Sequence, residues 1–336
     1  METILVVGGG PAGAAAAIAA LSEGAAVRIV ERSRQPKHKV CGEFLSPEAF
    51  HILDLLGGGG LAGPKPAPIR KCLLRFGDRE KRWNLPEPAF GLSRFELDRL
   101  LLEKAGALGA NICRGECGAR GLGNGGPSRI VLAAGRTPSA SRQNRLFGFK
   151  AHFEGPTDDA VELFFMRQGY VGVSPIENGW TNVCGIAPES ALHRHGFDVD
   201  EHLAAFPPLA ERLRPLRRRM GWLMVGPLSY SPPVTHSDVN ERLYPAGDAL
   251  GFVDPFTGSG ILNALFTGRM AGFSAARAVP SRDYIRECQS LLNRPFGISA
   301  LLRKLLEWDC VYYLAALTPG RWLFQLTRAR LSGSAG

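Results

Sequence analysis

The chain has 336 residues and a mass of 36.2 kDa, with 45% hydrophobic and 21% charged residues, which is typical of a soluble globular protein of two domains. No apolar run reaches the roughly 20 residues that cross a bilayer, and the N-terminus lacks the pattern of a secretory signal. We therefore expect a cytoplasmic protein.

The charge and the cysteines narrow the range of partners. The formal net charge of +9 comes mostly from dispersed arginines without a nucleic-acid-binding motif, so we expect no nucleic acid partner. Seven scattered cysteines, an odd number, predict free thiols in a reducing compartment. Neither cysteines nor histidines have metal-ligand spacing, so we expect no metal site.

The first 31 residues have the pattern of a strand, a helix and a second strand. Ile4–Val7 is a short apolar run of the kind that is buried in a parallel sheet. Ala14–Ser22 predicts a helix that ends near Gly24, and Val27–Val30 predicts the second strand. The motif G-x-G-x-x-G lies between the first strand and the helix, which is the context required for dinucleotide binding.

Each glycine of this motif has a physical role. Gly8 permits the tight turn, Gly10 lets a pyrophosphate approach the backbone, and Gly13 allows close packing of the helix. Glu31, 18 residues after Gly13, suits a ribose 2′-hydroxyl and would repel a 2′-phosphate. FAD and NAD both fit this unit. The candidate cofactor-binding residues here are Gly8, Gly10, Pro11, Ala12, Gly13, Glu31 and Arg32.

A second glycine-rich motif follows far downstream, between Arg242 and Gly272. Gly247-Asp248 comes after a strand-like segment, and a glycine turn then leads into a helix with small residues every three or four positions. Small residues at this spacing predict that the helix lies close to another backbone.

These motifs resemble those of the FAD-dependent oxidoreductases of the para-hydroxybenzoate hydroxylase and geranylgeranyl reductase superfamily. The resemblance implies FAD as cofactor and an α/β fold, with a Rossmann-like FAD-binding domain, an antiparallel-sheet substrate domain and a C-terminal helical segment. It implies that Asp248 accepts a ribityl hydroxyl and that the turn up to the helix lies beside the flavin pyrimidine edge. The residues concerned are Gly247, Asp248, Pro255, Gly258, Gly260 and Ile261.

Two further segments support the resemblance. Gly91–Ile112 is similar to the family's helix that begins with an arginine and leads to a third parallel strand, so Arg94 is expected to reach the cofactor; an exposed arginine at a helix start is the alternative. His38–Gly57 is similar to a segment that carries Cys-Gly near the flavin, which makes Cys41 either a near-flavin thiol or a packed, inert cysteine.

The resemblance also suggests domain boundaries. We expect the FAD-binding domain at residues 1–70, 91–140 and 236–280, the substrate domain at 71–90 and 141–235, and C-terminal helices at 281–331. The last segment alternates aromatic and basic residues, so it predicts either a peripheral membrane contact or a helical pair packed on the FAD-binding domain. One family feature is missing, because Ala134 stands where the family has Asp before Gly135.

The expected activity is that of an FAD-dependent oxidoreductase acting on a hydrophobic small molecule. We favour an NAD(P)H-dependent monooxygenase that hydroxylates an aromatic, polyketide-like or lipid-like substrate. The alternatives are a double-bond reductase of the geranylgeranyl type and a non-catalytic flavin-binding protein. The seven histidines are dispersed and suggest no general base, so Cys41 is the one candidate catalytic residue and the oligomeric state stays open.

Overall fold

The computed structural model describes residues 3–57, 63–77, 79–115, 129–136, 145–166, 169–228, 230–235, 240–252 and 258–306. The strands in this part of the chain are β1 (Thr3–Val7), β2 (Ala26–Glu31), β3 (Phe44–Leu45), β4 (Ala67–Phe76), β5 (Arg79–Gly91), β6 (Asn111–Arg114), β7 (Arg129–Leu132), β8 (Leu146–Glu154), β9 (Ala160–Met166), β10 (Gly169–Ile176), β11 (Trp180–Pro188), β12 (Arg217–Arg218), β13 (Leu223–Leu228) and β14 (Leu243–Pro245). The helices are α1 (Pro11–Ser22), α2 (Pro47–Leu55), α3 (Arg94–Ala107), α4 (Glu189–His193), α5 (Val199–Ala204), α6 (Pro207–Leu213), α7 (Gly260–Ala276) and α8 (Ser281–Leu306).

The first sheet is parallel and has the strand order β14-β7-β1-β2-β6. The predicted unit of strand, helix and strand is confirmed, since β1 pairs in parallel with β2, with Ile4 opposite Val27. The strand predicted after the Arg94 helix is also confirmed, because β6 pairs in parallel with β2. This sheet and its helices form the Rossmann-like part of the predicted α/β fold.

Helix α1 is buried between the first sheet and α7, and its alanines leave room for close packing. A Cβ on Gly268 would lie 2.2 Å from the carbonyl oxygen of Ala12, and a Cβ on Gly272 would lie 2.1 Å from that of Ala16. The small residues of the downstream motif therefore bring α7 against the backbone of α1, as the sequence predicts. This contact joins two segments that lie some 250 residues apart in the chain.

The second sheet has nine strands in the order β12-β8-β11-β10-β9-β4-β5-β3, with β13 paired to β8. Neighbouring strands in this sheet pair antiparallel, except that β4 and β9 pair in parallel. A hairpin turn at Glu177–Gly179 joins β10 to β11, and Asn178 adopts a left-handed φ of 62° there. The predicted antiparallel-rich substrate sheet is thus confirmed as part of the fold.

The two faces of β8 differ in polarity. Phe149 and Phe153 point into an apolar core that is closed by α4, α5 and α6. Lys150 and His152, which alternate with them, lie on the opposite face and are 0% and 1% exposed. The ammonium group of Lys150 donates a hydrogen bond of 3.3 Å to the backbone oxygen of Lys39, in the segment between β2 and β3. This polar face is therefore turned toward the segment that follows the second parallel strand.

The chain continues after α7 into the long helix α8, which begins the predicted C-terminal helical segment. The Tyr284 hydroxyl donates a hydrogen bond of 2.7 Å to the carbonyl oxygen of Pro245, so the start of α8 packs on the end of β14. Residues 307–331 of the predicted segment lie outside the described residues. Among the described helices, none is both long and apolar enough to span a membrane. The domain boundaries stay as a proposal.

We expect Gly268→Ala to lower the free energy of unfolding by about 1–3 kcal/mol, because the added methyl group would overlap the backbone of α1. Gly297→Ala in α8 is the matched control, since a Cβ there meets no described residue within 4 Å. This substitution should be neutral or should raise the free energy of unfolding by up to about 1 kcal/mol. Urea unfolding of both variants tests the contact. Equal effects of the two substitutions would contradict it.

Candidate functional site

The glycine turn between β1 and α1 leaves no room for side chains at two of its positions. Gly8 has a φ of +106°, and a Cβ there would lie 2.2 Å from the carbonyl oxygen of Ala133. A Cβ on Gly13 would lie 1.8 Å from the carbonyl oxygen of Gly8. The turn is consequently held tightly between the end of β7 and the first turn of α1, with Pro11 and Ala12 buried beneath it.

Gly10 differs from these two glycines because its open side faces two cations. A Cβ on Gly10 would lie 3.7 Å from Nη2 of Arg94 and 4.0 Å from Nζ of Lys39. Gly10 is also the N-cap of α1, whose first turn contains no acidic residue. Free backbone N–H groups, the positive end of a helix dipole and two cations form a site that fits a pyrophosphate.

Asp98 holds both cations at this position. Its carboxylate accepts hydrogen bonds of 2.8 Å and 3.1 Å from Arg94 and of 2.8 Å from Lys39. Burial of Asp98 opposes its ionisation, but Arg94 and Lys39 outweigh that effect and lower the pKa of its carboxyl group. The Arg94 side chain is only 17% exposed, so it lines the cleft instead of extending into solvent.

Glu31 lies at the other end of the same cleft. Its carboxylate accepts hydrogen bonds of 2.7 Å from the backbone N–H groups of Gly9 and Ser33. Burial acts to raise the pKa of Glu31, yet these two N–H groups and Lys39 hold it below the ordinary value. Glu31, Lys39 and Asp98 line the same small surface cleft. An ionised carboxylate there fits a ribose hydroxyl, while the neighbouring Arg32 is exposed.

Gly247 and Asp248 follow β14 at the same edge of the parallel sheet. Gly247 has a left-handed φ of +60°, and its N–H donates a hydrogen bond of 2.9 Å to Oγ1 of Thr267. Asp248 is accessible to solvent on one side. The protein around it displaces enough water to raise the pKa of its carboxyl group, although Arg94 and Arg136 act to lower that pKa. No donor among the described residues binds this carboxylate. A carboxylate that faces solvent and accepts from no described donor fits a ribityl hydroxyl group.

The glycine turn before α7 is described from residue 258 onward, so Pro255 lies outside the described residues. Gly258 has a φ of +65°, and a Cβ there would lie 3.2 Å from Cδ1 of the Phe44 ring. Gly260 is the first residue of α7 and has nothing within 4 Å of a Cβ position. The side chain of Ile261 is buried in the core of the first sheet.

Cys41 lies between the cleft and the polar face of the second sheet. Its backbone oxygen accepts a hydrogen bond of 3.0 Å from Asn182 on β11, and its sulfur accepts one of 3.4 Å from the N–H of Glu43. Burial raises the pKa of Cys41, so the thiol stays protonated at neutral pH. Arg94 is close enough to lower that pKa in part, which places Cys41 beside the cation of the cleft.

A buried cluster of charged groups adjoins Cys41 and was not predicted from the sequence. The carboxylate of Glu43 contacts the ammonium group of Lys150, and its other oxygen lies 2.7 Å from Nε2 of His152. Glu43 is separated from these residues by 107 and 109 positions, which is why the histidines seem dispersed in the sequence. The signal that could have revealed the cluster is a lysine and a histidine on alternate positions of an otherwise apolar strand.

The parallel sheet, the glycine turn with its two cations and the acidic groups at the ends of β2 and β14 define a dinucleotide-binding protein of the Rossmann type. A family model described as an FAD binding domain matches residues 1–117, which include the glycine turn, Glu31, Cys41 and Arg94. The structure and this match agree on the same N-terminal unit.

Relatives extend the similarity over most of the chain. The menaquinone reductase of Mycobacterium tuberculosis is 28% identical over 91% of this chain and 84% of its own length. The digeranylgeranylglycerophospholipid reductase 2 of Methanopyrus kandleri is 27% identical over 88% of this chain and 83% of its own.

Solved structures show the same fold. The flavin-dependent brominase Bmp2 has a TM-score of 0.78, is 16% identical and covers 97% of this chain and 93% of its own. A geranylgeranyl bacteriochlorophyll reductase-like protein from Thermoplasma acidophilum has a TM-score of 0.69, is 21% identical and covers 97% and 91%. These comparisons confirm the resemblance to the FAD-dependent oxidoreductases of the para-hydroxybenzoate hydroxylase and geranylgeranyl reductase superfamily, and the chain is an FAD-dependent enzyme. The roles of the individual site residues stay predictions.

We expect Gly10→Ala to fold normally but to weaken FAD binding by at least about tenfold. The added methyl group has room in the protein itself, because the nearest side-chain atoms are 3.7 Å away, but it would occupy the side on which a phosphate approaches. Fluorescence titration with FAD measures the loss, and thermal unfolding of the FAD-free protein shows whether the fold is kept. An unchanged dissociation constant would contradict the phosphate site at Gly10.

We expect Asp248→Asn to change stability and cofactor binding in opposite directions. The folded-state pKa of Asp248 is raised, so its ionised form destabilises the folded protein above the unfolded-state pKa, and this penalty fades as the pH falls. The variant should therefore melt higher at pH 7 without FAD. It should also bind FAD about five- to tenfold more weakly, because an amide is a poorer acceptor than a carboxylate. Calorimetry and FAD titration measure the two effects, and an unaltered FAD affinity would contradict the ribityl role.

Proposed function

We propose that this enzyme reduces a carbon–carbon double bond in the isoprenoid chain of a lipid or quinone. The observation that carries the proposal is the similarity to menaquinone reductase and to digeranylgeranylglycerophospholipid reductase along 88–91% of the chain. The substrate class of these relatives is hydrophobic and isoprenoid, in line with the hydrophobic small molecule expected from the sequence.

The packing of the second sheet supports reduction over aromatic hydroxylation. Several aromatic residues that could have lined an aromatic-binding cavity belong to the apolar core under α4, α5 and α6, among them Phe149 and Phe164, which are both 0% exposed. The face turned toward Cys41 and the cleft carries polar groups instead, on β8 and β11. These buried aromatic side chains are therefore not available to line a pocket for an aromatic substrate.

In this proposal FAD, when bound, supplies the hydride for one carbon of the double bond. The chain's own residues bind and orient the cofactor through the Gly10 turn, Arg94 and Asp248. The second carbon needs a proton, and the buried Cys41 thiol holds one at neutral pH because burial raises its pKa. We propose NAD(P)H as the electron donor, acting transiently.

Hydroxylation by an NAD(P)H-dependent monooxygenase is the second candidate. It is favoured by two aromatic rings near the polar face: Phe95 stacks on His38 with 5.0 Å between ring centroids, and Trp180 lies 6.1 Å from His152. Such rings could contact a planar substrate. Both candidates use the same FAD cleft and differ in whether reduced flavin meets a double bond or oxygen.

The test uses the FAD-loaded protein with NADPH under anaerobic conditions, followed by visible spectroscopy of the flavin. Detergent-dispersed menaquinone and a geranylgeranyl-bearing glycerolipid are then added separately, and the products are analysed by mass spectrometry. We expect bleaching of the flavin bands and a product that has gained two hydrogen atoms. If NADPH leaves the bands unchanged, dithionite replaces it as reductant, and the choice of donor is then wrong although the reductase proposal is still tested.

The control is the Gly10→Ala variant, which should yield clearly less reduced lipid than the wild type at an FAD concentration that does not saturate the variant. Reoxidation of the flavin in air, with incorporation of one oxygen atom into a phenolic substrate and no reduction of either lipid, would contradict the proposal in favour of the second candidate. Reduced flavin that converts none of these substrates under either condition would contradict both.

A further inference from the structure

Glu43 occupies a position that is unfavourable for a glutamate in two respects. Its side chain is 0% exposed, and its backbone has a left-handed φ of 55°. A residue other than glycine in this conformation costs about 1–3 kcal/mol and persists only where the surrounding structure requires it. Glycine would adopt the same turn without strain. The side chain must therefore supply something that offsets both costs.

The carboxylate of Glu43 binds groups from two separate elements. Lys150 and His152 on β8 each contact one of its oxygens, the latter at 2.7 Å. The backbone N–H of Arg94, the first residue of α3, donates a hydrogen bond of 2.7 Å to the oxygen that Lys150 contacts. Burial opposes ionisation of Glu43, but His152 and Lys150 outweigh it, so its pKa is lowered and the group is charged.

The backbone of Glu43 makes further contacts toward the cleft. Its N–H donates to the sulfur of Cys41 at 3.4 Å, and its carbonyl oxygen accepts a hydrogen bond of 3.1 Å from the N–H of Leu92. One residue thus contacts Cys41 through its backbone and Arg94 through its side chain. The family resemblance implies that Arg94 reaches the cofactor and allows Cys41 to be a near-flavin thiol.

The ionised carboxylate also determines the tautomer of His152. A carboxylate oxygen can only accept, so Nε2 of His152 carries the proton of their hydrogen bond. Nδ1 of His152 is buried and has no hydrogen-bond partner among the described residues. The same is true of Nδ1 of His38, whose ring packs edge-on against that of His152 with 5.1 Å between the ring centroids. Glu43 therefore fixes the orientation of the His152 ring on β8.

We propose that Glu43 is a positioning residue, which fixes the Cys41 thiol and the Arg94 end of α3 against the FAD cleft while Lys150 and His152 hold its carboxylate. The proposal rests on the proposed function, because it takes the cleft to be the FAD site. Glu43 would then be a further residue of that site, although it contacts neither the glycine turn nor the acidic groups at the ends of β2 and β14.

The charges around Cys41 give this proposal a measurable consequence. Arg94 and Lys150 lower the pKa of the thiol, whereas burial and Glu43 raise it, and the neighbouring Cys184 is itself a buried thiol with a raised pKa. Removing the negative charge of Glu43 leaves the two cations unopposed. The pKa of Cys41 should then fall and its thiolate fraction at a given pH should rise.

The first test is Glu43→Gln in the FAD-loaded protein, with iodoacetamide alkylation of Cys41 followed by peptide mass spectrometry across a pH series. We expect alkylation of Cys41 at neutral pH to become about tenfold faster. The flavin reduction potential should become more positive, because a lost negative charge favours the reduced anion. The matched control is Glu162→Gln, which breaks a 2.6 Å ion pair with Arg212 on the opposite face of the same sheet and should change stability alone.

Removing one partner of a buried ion pair can prevent folding, because the other charge is left buried and unpaired. If Glu43→Gln fails to fold because Lys150 is unpaired, a second variant still tests the proposal. Glu43→Gly combined with Lys150→Met removes both charges and relieves the backbone strain. We expect this protein to fold with a melting temperature near that of the wild type, to bind FAD about tenfold more weakly and to expose Cys41 to faster alkylation.

A folded variant with wild-type FAD affinity, flavin potential and Cys41 alkylation rate would overturn the proposal and leave Glu43 with a structural role only. Failure of the proposed function would look different. A wild-type protein that reduces neither lipid, or that binds no FAD, would contradict that function, whereas the alkylation of Cys41 can be measured without substrate and without flavin.

Discussion

The geometry of the site depends on how closely α1 approaches the backbones around it. Gly13 lets the first turn of α1 lie against Gly8, and Gly268 and Gly272 let α7 lie against Ala12 and Ala16. Larger residues at these positions would overlap the neighbouring backbone, so α1 could not lie as close as it does. The open face of Gly10, the cations and the acidic groups are useful for cofactor binding only because this packing aligns them.

The charges of the cleft are arranged according to the parts of the cofactor they would meet. Arg94 and Lys39 lie at the Gly10 turn, where a pyrophosphate carries its negative charge, and Asp98 holds both in place. The carboxylates that face hydroxyl groups, Glu31 and Asp248, lie at the ends of β2 and β14. Glu31 is stabilised in its charged form by backbone donors, whereas Asp248 accepts from no donor in the described part of the chain and its pKa is raised. In the protein without cofactor, the carboxylate of Asp248 thus accepts no hydrogen bond from the described residues, and a ribityl hydroxyl group would supply the donor.

Local sequence patterns predicted those parts of the fold that local interactions determine. The apolar run of β1, the alanine-rich α1, the turn at Asn178 and the small residues of α7 each have one favourable structure, and the structure contains it. The cluster around Glu43 could not be predicted in the same way, because it depends on a register that brings β8 against a segment more than 100 residues earlier. A buried lysine and histidine on one strand give a warning of such a cluster, but they do not identify the carboxylate that pairs with them.

The Glu43 cluster is difficult to explain by stability alone. A buried ion pair can often be replaced by apolar residues of similar volume without loss of stability, and the left-handed backbone of Glu43 adds strain that glycine would avoid. The cluster lies where the two sheets meet, since β3 directly after Glu43 pairs with β5 of the second sheet while Arg94 begins a helix of the first. A charged hydrogen-bond network has directional requirements that an apolar contact lacks, so it can fix the orientation of Cys41 and Arg94 relative to β8. The unfavourable residue at position 43 is therefore best understood as the means by which the substrate-side sheet and the cofactor cleft are held in one register.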